Sequence, residues 1–256
     1  MTGLGTAPIL TEARTGTIDA SEGWELVLII PVWQPDQALV ELVKSLISGP
    51  FGRIVIVDDG SAPQATEHLG HLARPDQIVI LHHQRNLGKG AALKTGLRWV
   101  SANLPGCAGV VTADADGQHR PEDILRVAEA LTGTQRPVVG VRSLGPKAPW
   151  RSRAGNLAVR VLFWPIARRL LPDTQSGLRG FPARLIPVLG CVPGERYDYE
   201  TAVLVELLRR KEPLLEMPIA TVYTHGNSGS HFRPVLDSFR VCLLLLRLML
   251  RPGKRS

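Results

Sequence analysis

Val110-Val111-Thr112-Ala113-Asp114-Ala115-Asp116-Gly117-Gln118-His119-Arg120-Pro121-Glu122-Asp123 is the stretch on which the fold turns. An apolar run ends at Ala113, two carboxylates one residue apart follow, and Pro121-Glu122-Asp123 opens a helix. Short apolar runs that lead through a loop into a helix are the unit of a parallel sheet covered on both faces. Carboxylates at the mouth of a buried strand must be paired or must hold a cation, because an unpaired charge beside a core costs several kcal/mol. A hard divalent ion held by one or two carboxylates keeps positions open for substrate phosphates.

Working outward, the same unit recurs. Glu25–Val32, Arg53–Gly60, Gln77–His83 and Arg136–Arg142 read as further strands. Helical patterns lie at Gln37–Ile47, around Gln64–Leu72, at Lys89–Ala102 and at Glu122–Leu131. The expected class is α/β: a mostly parallel, Rossmann-like sheet with helices on both faces. Ligands of such sheets bind at the carboxyl ends of the strands. Asp58-Asp59, Asn86-Leu87-Gly88, Asp114–Asp116 and Arg142 all follow strand ends and are expected to meet on one edge.

The chain has 256 residues, enough for one large domain, and a net charge of +7, which suits an anionic partner. Cys107, Cys191 and Cys242 are odd in number and far apart, so neither a disulfide framework nor a zinc site follows. The expected organisation is a loose lead-in at 1–23 without a signal pattern, a main domain at 24–231, and a basic, apolar helix and tail at 232–256. Residues 152–171 form a second apolar segment with basic margins, broken or kinked at Pro165. Both segments have the composition of helices lying in a membrane interface, or packing on the domain or a partner chain. Neither reaches the roughly 18 apolar residues of a membrane span. No basic stripe with interleaved aromatics appears, so nucleic acid is not an expected partner.

Several positions can carry chemistry. Asp58 and Asp59 can accept hydrogen bonds from a base or a ribose, or close a turn through Gly60-Ser61. Asn86–Gly96 is no phosphate loop: the G-x-x-x-x-G-K-[ST] order is absent, and Leu93 stands where a third glycine would be. Its glycines suit a tight turn into a closely packed helix, and Lys89 can meet a phosphate. Asp114, Asp116 and Gln118 are the candidate metal ligands, with His119 beside them as a loop residue. His82 and His83 alternate along a strand and cannot grip one ion together. Arg142, Arg151, Arg153 and Arg179 are candidate phosphate binders. Arg179 is favoured because Asp173–Arg179 reads as a shaped polar loop.

Taken together, Pro31–Pro35 (PVWQP), Val57–Ser61 (VDDGS), Asn86–Ala92 (NLGKGAA), Ala113–Asp123, Gly140–Ser143 (GVRS), Thr174–Gly180 (TQSGLRG) and Tyr197–Leu208 (YDYETAVLVELL) resemble family 2 inverting glycosyltransferases of GT-A fold. The likeness runs from Leu26 to about Arg240 and is nearest to the polyprenyl (dolichyl) phosphate mannosyl- and glucosyltransferase branch. It implies a hexosyltransferase that uses a nucleotide diphosphate sugar (a GDP- or UDP-hexose), Mg²⁺ or Mn²⁺, and a polyprenyl phosphate acceptor. It also implies a cytoplasmic protein on the inner face of the membrane.

By that resemblance Asp114, Asp116 and Gln118 hold the metal. Pro31, Val32, Trp33, Asp58, Asp59 and Lys89 line the nucleotide with Asp114. Arg142, Arg151 and Arg153 meet phosphate. Ser176, Gly177 and Arg179 form the S-G-x-R loop, and Asp116, Arg179 and Asp173 are the expected catalytic group. The family usually reads P-x-Y-N-E where this chain has Pro31-Val32-Trp33-Gln34-Pro35, so the acid that helps grip the nucleoside is missing. A phosphate acceptor needs no strong base. A hydroxyl acceptor does, and Asp173, Asp198 and Glu200 are then the candidates. A nucleotide-sugar-binding protein without turnover is the alternative outside enzymology.

Overall fold

A computed structural model describes residues 25–72, 76–142, 173 and 176–220. The lead-in at 1–23, the segments 152–171 and 232–256, and Arg151 and Arg153 lie outside the described residues.

The chain alternates as its apolar runs require: β1 (Leu26–Val32), α1 (Gln37–Leu46), β2 (Phe51–Asp58), α2 (Pro63–Gly70), β3 (Ile78–His82), α3 (Lys89–Asn103), β4 (Gly109–Thr112), α4 (Pro121–Thr134) and β5 (Val138–Arg142). Then come β6 (Arg179–Pro182), a 3₁₀ turn, α5 (Ile186–Leu189), α6 (Asp198–Arg209) and β7 (Leu215–Ile219). Among the described residues seven strands lie in the order β3-β2-β1-β4-β6-β5-β7. All run parallel except β6, which is antiparallel to both β4 and β5. The carboxyl ends Val32, Asp58, His82, Thr112, Arg142 and Ile219 therefore share one edge, and the amino end of β6, Arg179, joins them there.

β1 is buried along its whole length, with Val27 and Ile29 packing on one face and Leu26, Leu28, Ile30 and Val32 on the other. The first face is covered by α3 and α6, through Leu93, Leu97, Val203 and Leu207. The second is covered by α1 and α4, through Leu39, Val43, Ile124, Val127 and Leu131. α1 starts where the Asp36 carboxylate accepts the Ala38 N–H at 2.9 Å. α4 starts at Pro121 with Glu122 and Asp123 in its first turn, where acids suit the positive end of the helix dipole.

Two strands depart from the sequence reading. Arg179 ends no loop; it opens β6, where it pairs with Thr112 of β4 and Val139 of β5. β7 tolerates Pro218 because it is an edge strand that needs hydrogen bonds on one side only.

Candidate active site

Thr112 is the last residue of β4, and its Oγ1 donates to the Gly177 carbonyl at 2.8 Å. This bond stitches the acidic loop to the segment that enters β6. Gly177 packs closely there: a Cβ would stand 2.4 Å from Asp114 Oδ1, so any larger residue makes one of the two give way. Asp114 is thereby pressed between the S-G-L-R segment and the start of α3.

Both Asp114 oxygens are engaged: Oδ1 lies 2.5 Å from Lys89 Nζ and Oδ2 lies 3.3 Å from His119 Nε2. Lys89 also reaches Glu200 Oε1 at 2.9 Å, with its ammonium 5.7 Å from the centre of the Tyr197 ring. Burial alone would raise the Asp114 carboxyl, but the Lys89 charge and His119 outweigh it and hold the group well below the usual carboxylate range. Asp116 goes the other way: burial, and then the Asp114 charge, push it up. Asp116 Oδ1 accepts the Gln118 N–H at 3.1 Å, which folds the loop back on itself.

The acids at the end of β2 sit two strands along, beyond β1. Asp58 is 2% exposed and accepts the Ser61 N–H at 3.1 Å, with His82 Nδ1 at 3.0 Å. Burial would raise its carboxyl, but the His82 and Ser61 hydrogen bonds lower it overall. Asp59 takes His83 Nδ1 at 2.7 Å and the N–H groups of Leu87 and Gly88 at 2.9 and 2.7 Å. The two histidines thus serve two different acids, as their alternation along β3 requires. Trp33 is the one exposed large hydrophobic among the described residues, and it follows β1 on this edge. Gln34, in the left-handed region at φ 57°, donates its N–H to Ser61 Oγ at 2.8 Å and ties the Trp33 turn to the Asp58 turn.

On the other side of Asp114, Arg142 ends β5. Its Nε and Nη2 donate to Asp173 at 2.8 and 3.4 Å, and its backbone N–H donates there too, at 3.2 Å. Asp173 also accepts the Ser176 N–H at 3.1 Å. Arg179 is buried to 2% exposure; its Nε donates to the Ser176 carbonyl at 2.9 Å and its Nη1 to the Glu200 carbonyl at 2.6 Å. It holds the S-G-L-R segment against the first turn of α6. Asp198, at the start of that helix, accepts the Arg196 N–H at 2.9 Å.

The edge therefore gathers Trp33, Asp58, Asp59, Lys89, Asp114, Asp116, Gln118, Arg142, Asp173, Ser176, Gly177 and Arg179: Asp58, Asp59, Asp114, Asp116 and Arg142 meet there because they follow parallel strands, while Arg179 arrives as the amino end of the antiparallel β6. Glu200 and Thr112 are partners that strand-end reasoning gave no part in holding Asp114. Thr112 had one signal, a hydroxyl as the last residue of an apolar strand. Among the described residues no three His, Cys, Asp or Glu side chains surround one point. The Asp116 carboxylate and the Gln118 amide are hard oxygen donors of the kind that hold Mg²⁺ or Mn²⁺ when substrate phosphates complete the shell.

This is the carboxyl edge of an α/β sheet, where such folds bind their ligands, with an acidic pair at the switch between β1 and β4. Residues 27–182 match the family model for glycosyl transferase family 2. The UDP-N-acetylglucosamine–dolichyl-phosphate N-acetylglucosaminyltransferase of Methanococcus voltae is 30% identical over 248 residues, covering 90% of this chain and 97% of that protein. The polyprenol monophosphomannose synthase of Mycolicibacterium smegmatis is 27% identical over 207 residues, 75% of this chain and 76% of that one. Glucosyl-3-phosphoglycerate synthase from Mycobacterium tuberculosis, solved with Mn²⁺, UDP and phosphoglyceric acid, superposes with a TM-score of 0.69 at 17% identity, covering 91% of this chain and 81% of that one. The chain belongs to glycosyltransferase family 2 and has its GT-A fold.

Proposed function

We propose that this chain moves a hexose from a nucleotide diphosphate sugar, UDP- or GDP-linked, to a polyprenyl phosphate at a membrane surface, with inversion at the anomeric carbon. The observation that carries the reading is the engagement of the three carboxylates that could serve as a base. Asp173 is held by Arg142, Glu200 by Lys89, and Asp198 by the Arg196 N–H. A hydroxyl acceptor needs a carboxylate within reach of its proton, whereas a phosphate oxygen arrives already anionic. The relatives from Methanococcus and Mycolicibacterium, named for dolichyl phosphate and polyprenol monophosphate chemistry, support the same acceptor class.

Topology supports the membrane. β5 ends at Arg142 and β7 at Ile219, so the chain leaves the described fold toward both apolar, basic segments from the edge that bears Asp114 and Asp116. Among the described residues no helix is long and apolar enough to cross a membrane.

In this reading Asp116 and Gln118, with the donor diphosphate, hold Mg²⁺ or Mn²⁺. A bound divalent ion supplies neutralisation of the charge that develops on the nucleoside diphosphate leaving group. Asp114, held by Lys89 and His119 through one contact on each oxygen, keeps lone pairs that can face the same ion. Trp33, Pro31, Val32 and Asp58 frame the nucleoside. Arg142, steered by Asp173, faces the acceptor phosphate, with Arg151 and Arg153 as further donors. Arg179 keeps Ser176 and Gly177 beside Asp114.

The test is a thermal-shift screen of UDP- and GDP-sugars with Mg²⁺ or Mn²⁺, followed by transfer of labelled hexose to a polyprenyl phosphate in vesicles. The label should enter the organic phase. No stabilisation by any donor, or transfer to hydroxyl acceptors alone, overturns the proposal.

A further inference from the structure

We propose that Asp59 is a positioning residue that acts on the transfer site through the 87–89 turn and Lys89, and is not a ligand of the nucleotide. The inference rests on the function proposed above. Asp59 is 3% exposed, and its two oxygens are divided among three donors inside the protein. Oδ1 takes the Leu87 N–H and His83 Nδ1, and Oδ2 takes the Gly88 N–H. His83 is itself held from behind, with Nε2 at 2.9 Å from Thr95 Oγ1 of α3. Carboxylate, imidazole and hydroxyl thus stand in the order of a hydrolytic triad. The His83 side chain is 0% exposed and Thr95 is 9% exposed, however, so no substrate reaches the hydroxyl. The line is an anchor.

What it anchors is the turn that delivers Lys89. Gly88 sits at φ +108°, and a Cβ on it would lie 2.4 Å from the Glu195 carbonyl. That carbonyl accepts the Ala91 N–H at 2.9 Å, and the Glu195 carboxylate pairs with Lys94 Nζ at 2.5 Å. The turn is therefore clamped by Asp59 from the sheet and by Glu195 from the loop before α6. The next side chain is Lys89, whose ammonium joins Asp114 to Glu200. Three amides around the start of α3, those of Leu87, Gly88 and Ala91, are taken by Asp59 and Glu195.

An asparagine at 59 offers one acceptor oxygen where the carboxylate offers two, so an amide of the turn loses its partner. A shift of about 1 Å at a group that orders a reacting centre costs on the order of 100-fold in rate. The experiment is a cycle of Asp59→Asn, Lys89→Met and the double variant in the full chain, read in three ways. Transfer should fall by roughly 10- to 100-fold in Asp59→Asn, and the double variant should be no slower than the slower single, because both losses pass through one ammonium. Calorimetric UDP affinity with Mn²⁺ should stay within about threefold in Asp59→Asn, less than half the 1.4 kcal/mol that makes tenfold. Amide hydrogen exchange at 86–90 should speed up. Multiplying losses, UDP binding weakened by about tenfold or more, or unchanged exchange each overturns the proposal. If Asp59→Asn does not fold, Thr95→Val loosens the other end of the line and must give the same faster exchange at 86–90. Wild-type protein that transfers no hexose counts against the function alone; the exchange and UDP-binding arms still decide the role of Asp59.

Discussion

Lys89 places its ammonium 2.5 Å from Asp114 Oδ1, and this single contact joins the start of α3 to the acidic loop after β4. The same ammonium reaches Glu200 at 2.9 Å. One cation therefore balances two largely covered acids contributed by two different parts of the chain. Burial would raise the Asp114 carboxyl, but the Lys89 charge and the His119 contact together hold it well below the usual carboxylate range.

Removing that cation should be costly. Lys89→Met leaves two carboxylates without a counter-charge, and breaking a buried pair in this way costs about 3 kcal/mol. Urea unfolding at pH 7 measures it. Glu200→Gln should cost far less, about 1 kcal/mol, since Lys89 keeps Asp114 and a neutral amide can still accept its hydrogen bond. Equal losses in the two variants would mean that the ammonium is not shared.

Asp116→Asn should separate stability from activity. Burial and the Asp114 charge raise the Asp116 carboxyl in the folded chain, so its ionised form is disfavoured there relative to the unfolded chain. A neutral isostere relieves that cost. The metal-free variant should be more stable than wild type at pH 7. The advantage should shrink as pH falls through the raised folded value and vanish near the unfolded value of about 3.9. Hexose transfer should fall at least about 100-fold, since several kcal/mol of charge stabilisation pass through the ion that Asp116 helps to hold. Unimpaired transfer would remove Asp116 from the metal site.

Asp58 should show the opposite pH behaviour. Burial would raise its carboxyl, but His82 and Ser61 pull it below its ordinary value in the fold. Its contribution to stability is therefore present above the unfolded value of about 3.9 and is lost as pH falls through the depressed folded value. Asp58→Asn should cost about 1.5–3 kcal/mol at pH 7, the scale of a hydrogen bond to a charged group. The gap in urea midpoint between variant and wild type should close below about pH 4. A gap that persists in acid would mean that the charge is not what holds the Ser61 turn.

The sequence made much of this edge visible, for physical reasons. Asp58, Asp114 and Arg142 each follow a run of apolar residues long enough to be a buried strand, and parallel strands bring such ends together. β6 was hidden because Arg-Gly-Phe-Pro has neither alternation nor an apolar run. It is a strand because Phe181 and Arg179 pair with Val110 and Thr112, which is a tertiary fact. β7 was obscured by Glu216 and Pro218, residues that an edge strand tolerates. The Lys89–Asp114–Glu200 linkage spans three separate motifs, and no local spacing encodes it. The likeness to the family pointed to Asp59 as a nucleotide contact; only the placement of the Leu87 and Gly88 amides shows that both its oxygens are used within the protein.

Gly177→Ala tests the contact that closes the site. The added Cβ would stand 2.4 Å from Asp114 Oδ1 and 2.6 Å from Oδ2, closer than any real methyl group approaches a carboxylate. Two responses are open. Asp114 can swing away and lose Lys89, or the 176–178 segment can retreat from β4 and lose the 2.8 Å bond from Thr112 Oγ1. Either should cost about 1–3 kcal/mol, as overpacking does in a close-packed interior. Either also displaces the acidic loop, so transfer should fall by roughly 10- to 100-fold under saturating donor. A crystal structure of the variant tells the two responses apart. A Gly177→Ala protein that transfers hexose at the wild-type rate would show that turnover does not depend on the approach of Gly177 to Asp114.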